Sequence, residues 1–502
     1  MASMIPIAGS AYTYAYATLG ELTAWIIGWD LILEYMIGAA TVSVGWSQYF
    51  VAFLQDAFGV DLLYSRWTSA PIIWENNQFQ SSGAIFNAPA FVISMIVTTV
   101  IVFGISMTAR INNVLVAFKM TVLIIMIFAL IPFINTDNYH PYIPPNDGTY
   151  GQFGVSGLLQ SASTVFFAYI GFDSVSTTAQ EAREPQVNLP IGIMMTLLIS
   201  ATVYIAISVV TVGVANYTQL GSGSPLVYTV KLTGMKWLVI LTEIGALAAT
   251  TSVILVLLIA QPRVFYAMAN DGMIPRVFGK VHPRYKTPYV STLVSGTICA
   301  LCGGLLPIGV LSDMSSVGTI FAFFVVNIGV IILRYTRKTV PRRFKVPGGP
   351  FLVPGIGAAS ALLLLQGAKQ EAIIRLLVWM AAGVLVYLIY GRTHSEVNNP
   401  RLVQEEPMQI IHENYSVNSI GEPRNYQGYT DEDLRRQYER QLARRLNLDH
   451  PLDDNCVEDM NHEMHIYQVP SSSPNTRHSP PESQRQPSDP EESLSGTTLP
   501  PT

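Results

Sequence analysis

Apolar runs broken by short polar stretches recur from Gly20 to Tyr390 and then stop. Crossing the hydrocarbon core of a bilayer takes roughly 20 mostly apolar residues in a helix. Runs of that order lie near 20–52, 88–106, 114–133, 155–174, 191–214, 237–260, 289–305, 317–333, 351–367 and 374–390. The pattern predicts an all-α membrane protein with about ten transmembrane helices. It divides the chain into a short cytoplasmic N-terminus (1–19), a membrane domain (20–394) and a polar tail (395–502).

Composition agrees with the pattern. Half of the 502 residues are hydrophobic and 13% are charged, and mean hydropathy is +0.35 even with the tail included. Such a chain belongs in a lipid bilayer. No basic N-terminal patch precedes a short apolar run, so no cleavable signal peptide is expected and the internal spans direct insertion. The net charge of −5 is spread over loops and tail, and nothing indicates nucleic acid. Cys299 and Cys302 lie in an apolar run and Cys456 in the tail, which rules out an extracellular disulfide framework. Their CxxC spacing lacks a second pair or a nearby histidine, so no metal, redox centre or other cofactor is expected.

Basic residues in short loops set orientation. With a cytoplasmic N-terminus, inner loops carry Arg110, Arg183, Arg263, Arg276, Lys280, Arg284, Lys286 and the Arg334 to Lys345 cluster; outer loops carry Arg66, Lys231, Lys236, Lys369 and Arg375. Both termini are then inside, and the plasma membrane is the expected location. The sequon Asn216-Tyr217-Thr218 falls on the outer side, too near the membrane for its use to be expected. The tail, rich in Pro, Ser, Asn and Glu, is expected to be disordered. It holds one possible helix, 430–446, capped by Thr430, with Leu434, Tyr438, Leu442 and Leu446 every four residues beside five arginines. That helix is either solvated or a surface for the inner leaflet or a regulatory protein. Ser473 and Ser479 precede prolines and are candidate phosphorylation sites.

Ionisable residues inside membrane spans are costly and usually face a cavity or a partner. Four stand out: Glu34, Lys119, Asp173 and Glu243. In AYIGFDSVSTTAQEARE, Gly171 interrupts the helix just before Asp173. Broken backbone at membrane depth is tolerated where it lines a cavity, and its free groups can hold the charged ends of a small zwitterion. The alternative is that Asp173 marks the end of the span. Lys119 sits about two turns inside NNVLVAFKMTVLIIMIFAL. It either snorkels to the surface or is a desolvated amine that can release and take up a proton. Asp30, Glu34, Gly38, Thr41 and Gly45 recur at helical spacing as a small, polar stripe; close packing explains the glycines but not Glu34. Glu243, Ala246 and Thr250 share a face, with Thr251 and Ser252 beside it, although membrane hydroxyls often bond only their own backbone.

These residues lie in segments that resemble amino acid permeases of the amino acid, polyamine and organocation superfamily, in its cationic amino acid transporter branch. The segments are PIAGSAYTYAYATLGELTAWIIGWDLILEYMIGAA, FFAYIGFDSVSTTAQEAREPQVNLPIGI and QPRVFYAMANDGMIPRVFGKVHPRYKTPYVST, and the resemblance runs from Ile5 to about Ser395. It implies an inverted-repeat transporter of two five-helix sets that moves amino acids by alternating access, often with protons. It also implies that Phe167 is an aromatic gate, that Ala168, Tyr169, Ile170 and Gly171 are the unwound backbone that receives the amino group, and that Asp173 follows the break. Lys119 resembles the lysine that replaces a sodium ion in proton-coupled relatives, with Thr251 and Ser252 near it. Thr250 resembles the position facing the substrate side chain, and Glu34 a carboxylate important in cationic members.

In the family two further spans precede PIAGSAY, the first with a glycine-rich break for the substrate carboxylate. Without them, the 502-residue chain alone is expected to insert poorly, to expose the Gly38, Thr41 and Gly45 stripe to lipid, and not to concentrate amino acids. The expected partners are an amino acid, protons and lipid. The expected function is proton-linked transport of L-amino acids, broad and including cationic ones. A truncated permease that acts as an amino acid sensor or regulatory subunit is the alternative, and a membrane enzyme is not expected because intramembrane histidines and a nucleophile elbow are absent from the sequence.

Overall fold

The computed structural model describes residues 10–395, apart from positions 61, 63–65, 76–77, 147, 182–184, 222, 337–348 and 350. The polar tail, its helix at 430–446 and its serines lie outside the described residues. Among the described residues seven helices are long and apolar enough to cross a membrane, and three shorter apolar helices accompany them. These correspond one to one with the ten predicted runs.

The first span is α2 (Glu21–Ile32), one π-helical turn (Leu33–Ile37) and α3 (Gly38–Phe58). It is followed by α4 (Ala88–Val102) and α5 (Ile105–Leu130). The sequence pattern ran α4 on to 106 and began α5 at 114. The boundary is instead at Gly104, whose φ of +136° lets the chain turn and lets α5 start nine residues early. A broken span follows, α6 (Gly154–Val165) and two 3₁₀ segments, then α7 (Pro185–Val214), a short α8 (Pro225–Leu232) and α9 (Lys236–Asn270). The series ends with α10 (Tyr289–Leu305), α11 (Ile308–Thr336), α12 (Leu352–Gly367), α13 (Gln370–Val386) and the stub α14 (Arg392–His394).

The first span forms the centre. Most of its apolar window is buried, whereas almost none of that of α7 is. Side chains such as Val155 and Leu198, 77% and 62% exposed, are left facing outward, as lipid-facing positions require. Small residues set the closest approaches. A Cβ at Gly296 on α10 would stand 2.0 Å from Thr98 Oγ1 on α4, and one at Gly303 would stand 2.4 Å from Ser43 Oγ on α3. Trp29 Nε1 donates to the Trp379 carbonyl at 2.9 Å, and the two indoles stack 4.7 Å apart, which pins α2 to α13. The neighbouring Gly383 leaves room for that ring, because a Cβ there would come within 2.4 Å of Trp29 Cδ1.

The expectation that the Gly38, Thr41 and Gly45 stripe faces lipid is corrected. Gly38 and Thr41 are buried and Gly45 half-buried. The two glycines face α11, where Cβ atoms would meet Ser315 Oγ at 3.2 Å and Ile308 Cδ1 at 3.9 Å.

Three elements were not predicted. Helix α1 (Ser10–Leu19) lies in the segment read as N-terminal tail, yet Tyr12 and Ala15 are buried in the main core. Helix α8 is too short to register as a span. A β-hairpin, β1 (Ile72–Glu75) with β2 (Gln78–Ser81), pairs Trp74 opposite Phe79 between α3 and α4. Arg375 at the start of α13 lies 4.8 Å from the Trp74 ring and ties the hairpin to the bundle.

Candidate substrate and proton site

After Val165 the broken fourth span tightens into a 3₁₀ turn, Phe166–Tyr169, and the Ile170 N–H donates to the Phe167 carbonyl at 3.1 Å. Ile170 is then extended, Gly171 takes φ +102°, and a second 3₁₀ segment runs from Phe172 to Glu181. The break expected at Gly171 is therefore present. Only glycine adopts that φ without strain, although a Cβ there would have ordinary space, 3.5 Å from Leu257 Cδ2. The break is held from several sides. Tyr204 on α7 donates to the Ala168 carbonyl at 2.9 Å, and Ser174 Oγ donates to the Gly171 carbonyl at 2.5 Å. Ile170 reaches toward Gly38 at the start of α3.

Opposite the break lies the π-helical turn that carries Glu34. A π turn inserts one extra residue and redirects the side chains of that turn. Glu34 and Tyr35 are 1% and 0% exposed. The Glu34 carbonyl accepts from Ser315 Oγ of α11 at 3.4 Å, and the Glu34 carboxyl faces that of Asp173. Asp173 is also buried. Its Oδ2 accepts from Ser10 Oγ at 2.8 Å and from the Tyr35 hydroxyl, while its Oδ1 and both Glu34 oxygens have no donor. Asp30, one turn before Glu34, is 1% exposed with neither oxygen bonded. Among the described residues no lysine or arginine acts on these three carboxyls. Glu34 and Asp173, set in different spans by the sequence, thus form one buried acidic site. Buried carboxyls that crowd together at membrane depth are costly to ionise without a counter-charge.

A cavity of about 690 Å³ opens against Asp173 and Ser10. Phe166, Tyr169 and Phe172 contribute to its mostly apolar wall, and Phe167 lies outside its lining.

Lys119 lies on the face of α5 that packs on α9. Asn112 Oδ1 accepts from Ser252 Oγ at 2.7 Å, a Cβ on Gly245 would stand 2.6 Å from Val122 Cγ1, and Thr242 Oγ1 lies 3.8 Å from Met126 Sδ. Positions 112, 119, 122 and 126 share one helical stripe. By that register Lys119 stands level with Ala248 and Ala249, about one turn from Thr251 and Ser252. It is half-buried, and no carboxylate among the described residues acts on it.

The hydroxyls of α9 divide. Thr250 Oγ1 donates to the carbonyl of Ala246 at 2.7 Å, so its hydroxyl serves its own helix. Thr251 donates to the Leu247 carbonyl and accepts from Trp46 Nε1 at 3.0 Å, and Ser252 bonds across to α5. Glu243 is remote from this group, beside Asp56 at the far end of α3. Tyr35, Ser10 and Ser315 were missed by sequence reasoning. The π turn leaves no mark in LEYMI, and Ser10 preceded every recognised span. Cys299 is buried and points its Sγ at Ser94 Oγ, 3.8 Å away, as part of the α4 to α10 packing.

Residues 1–391 match the amino acid permease family. The chain is 40% identical over 398 residues to the branched-chain amino acid permease BcaP of Bacillus subtilis, covering 79% of this chain and 82% of that one. It is 38% identical over 397 residues to the methylthioribose transporter of the same organism, with the same shares of each chain covered. A vacuolar cationic amino acid transporter 4 of Arabidopsis thaliana is 35% identical over 335 residues, 67% of this chain and 54% of the relative. Family and fold together place the chain: it is a multi-pass integral membrane protein that belongs to the amino acid permease family of transport proteins.

Proposed function

We propose that this protein carries L-amino acids across the plasma membrane by alternating access linked to protons, with both termini in the cytoplasm. The observation that carries the reading is the buried Glu34 and Asp173 pair beside the Gly171 break, with no basic side chain among the described residues acting on either carboxyl. Such a site accepts a proton in one state and an ammonium group in another, which is the exchange that proton-linked movement of a zwitterion needs. The substrate's amino group meets the segment Ala168 to Gly171, and Phe167 closes over it. Lys119, with Thr251 and Ser252 a turn away, provides the proton step on the scaffold side. The relatives bear names that span branched-chain and cationic amino acids. The small Thr250 and the anionic Glu34 support a broad range that includes cationic side chains. The polar tail is a docking segment for regulatory proteins.

Uptake of labelled alanine, leucine and arginine is compared in vesicles from cells that carry the protein and cells that lack it, with an inward proton gradient imposed. Protein-dependent accumulation that collapses with a protonophore is expected, with arginine and lysine competing against alanine. Equal uptake in both vesicle types overturns the transport reading; failure of arginine and lysine to compete overturns the cationic range.

A further inference from the structure

Three charged groups outside the candidate site, Asp56, Lys231 and Glu243, converge where the end of α3 meets α8 and the start of α9. Glu243 is 0% exposed, and neither of its oxygens has a hydrogen-bond donor. One helical turn before it lies Val239, part of an apolar cluster with Met126, Leu130, Val227, Val230 and Leu238. Gly38 meets Leu257 and Trp46 Nε1 bonds Thr251 Oγ1, so α3 and α9 run antiparallel in a register that sets Asp56 level with Glu243, and the two carboxyls face each other. Lys231 Nζ stands 2.6 Å from Asp56 Oδ2. Among the described residues only Asp56 of α3 and Lys231 of α8 act on Glu243. Helices α4 and α10 carry no charged side chain, Arg110 and Lys119 of α5 and the acidic Asp30, Glu34 and Asp173 do not act on it, and Lys236 of α9 itself is exposed.

Two carboxyls therefore share one ammonium group. Asp56 has the direct ion pair, and Glu243 is left buried against an anion. Two carboxylate oxygens in contact repel unless one carries a proton, in which case they form a strong hydrogen bond. We infer that Glu243 and Asp56 hold one proton between them, a protonation site separate from Glu34, Asp173 and Lys119. Because Lys231 belongs to α8, the site also fastens α8 to α3 and α9. The proton comes from water at that end of the bundle, where the Asp56 side chain is 22% exposed. When it leaves, two anions compete for one lysine and α8 loosens. The inference does not rest on the transport reading, and its test needs no flux.

Infrared spectra of the purified protein at neutral pH are compared for the wild type, Glu243→Gln and Asp56→Asn, with amide hydrogen exchange of α8 followed over pH. Glu243→Gln is expected to lose a protonated-carboxyl C=O band and to abolish the acceleration of α8 exchange that the wild type shows as pH rises. Asp56→Asn, a change at a partly exposed side chain, keeps the test open if the first variant misfolds. There Glu243 pairs with Lys231 as the ionised form, and the same band is lost. The inference is overturned if Glu243→Gln removes a carboxylate band instead, if the protonated-carboxyl band persists in Asp56→Asn, or if α8 exchange in the wild type does not depend on pH.

Discussion

The Tyr35 hydroxyl donates to Asp173, 138 positions later in the chain, and so joins the π turn of the first span to the segment just past the Gly171 break. Both groups are buried, and Ser10 Oγ adds a second bond to the same carboxyl oxygen at 2.8 Å. Tyr35→Phe removes one donor and leaves the other. A hydrogen bond to a charged group contributes about 1.5 to 3 kcal/mol, so partial loss of stability is expected, together with slower uptake at unchanged surface levels. Thermal unfolding and initial uptake rates check this, and no change in either removes Tyr35 from the site.

Gly171→Ala separates backbone strain from crowding. The added Cβ would meet only Leu257 at ordinary contact distance, so its cost comes from the φ of +102° and is roughly 1 to 2 kcal/mol. The expected outcome is a folded protein with little transport. Gly38→Ala, next to Ser315 Oγ at 3.2 Å but with helical backbone, is expected to retain more activity. Equal uptake by the two variants, measured at equal surface levels, speaks against a required break.

How much of this was legible in the sequence differs by element. The ten spans were, because length and hydropathy decide membrane crossing. The break at Gly171 was also readable, from a glycine and an aromatic set before an aspartate. The convergence of Glu34 on Asp173 was not, because it depends on a π turn that carries no compositional signature and on the way two distant spans cross. Helix α1 was hidden for a different reason: at ten residues it is too short for a span, and its polar hydroxyls read as tail. The stripe at Gly38, Thr41 and Gly45 was seen, but not that it faces α11.

Lys119→Arg distinguishes proton exchange from snorkelling. Arginine keeps its charge throughout and still reaches the surface. If Lys119 gives up and regains a proton in each cycle, Lys119→Arg and Lys119→Ala should both lose accumulation driven by a pH gradient while retaining substrate exchange. Normal accumulation by the arginine variant establishes snorkelling.

Phe167→Ala is expected to weaken apparent substrate affinity by the equivalent of about 1 to 3 kcal/mol, the value of one large apolar contact. Phe166 packs on Phe323 with ring centroids 6.0 Å apart and lines the 690 Å³ cavity. Phe166→Ala should act mainly on thermal stability. Concentration dependence of uptake for both variants checks the assignment, and a larger affinity loss for Phe166→Ala reverses it.

The central claim, that Glu34 and Asp173 work as one proton-holding site, is tested most directly by a double-mutant cycle on gradient-driven uptake. Accumulation of labelled arginine and leucine under an inward proton gradient is measured for the wild type, Glu34→Gln, Asp173→Asn and the double variant at matched surface levels. Groups that act together give strongly non-additive effects. The account predicts that each single variant loses accumulation and that the double variant is no worse than the poorer single one. Wild-type accumulation by either single variant, or losses that simply add, contradicts it.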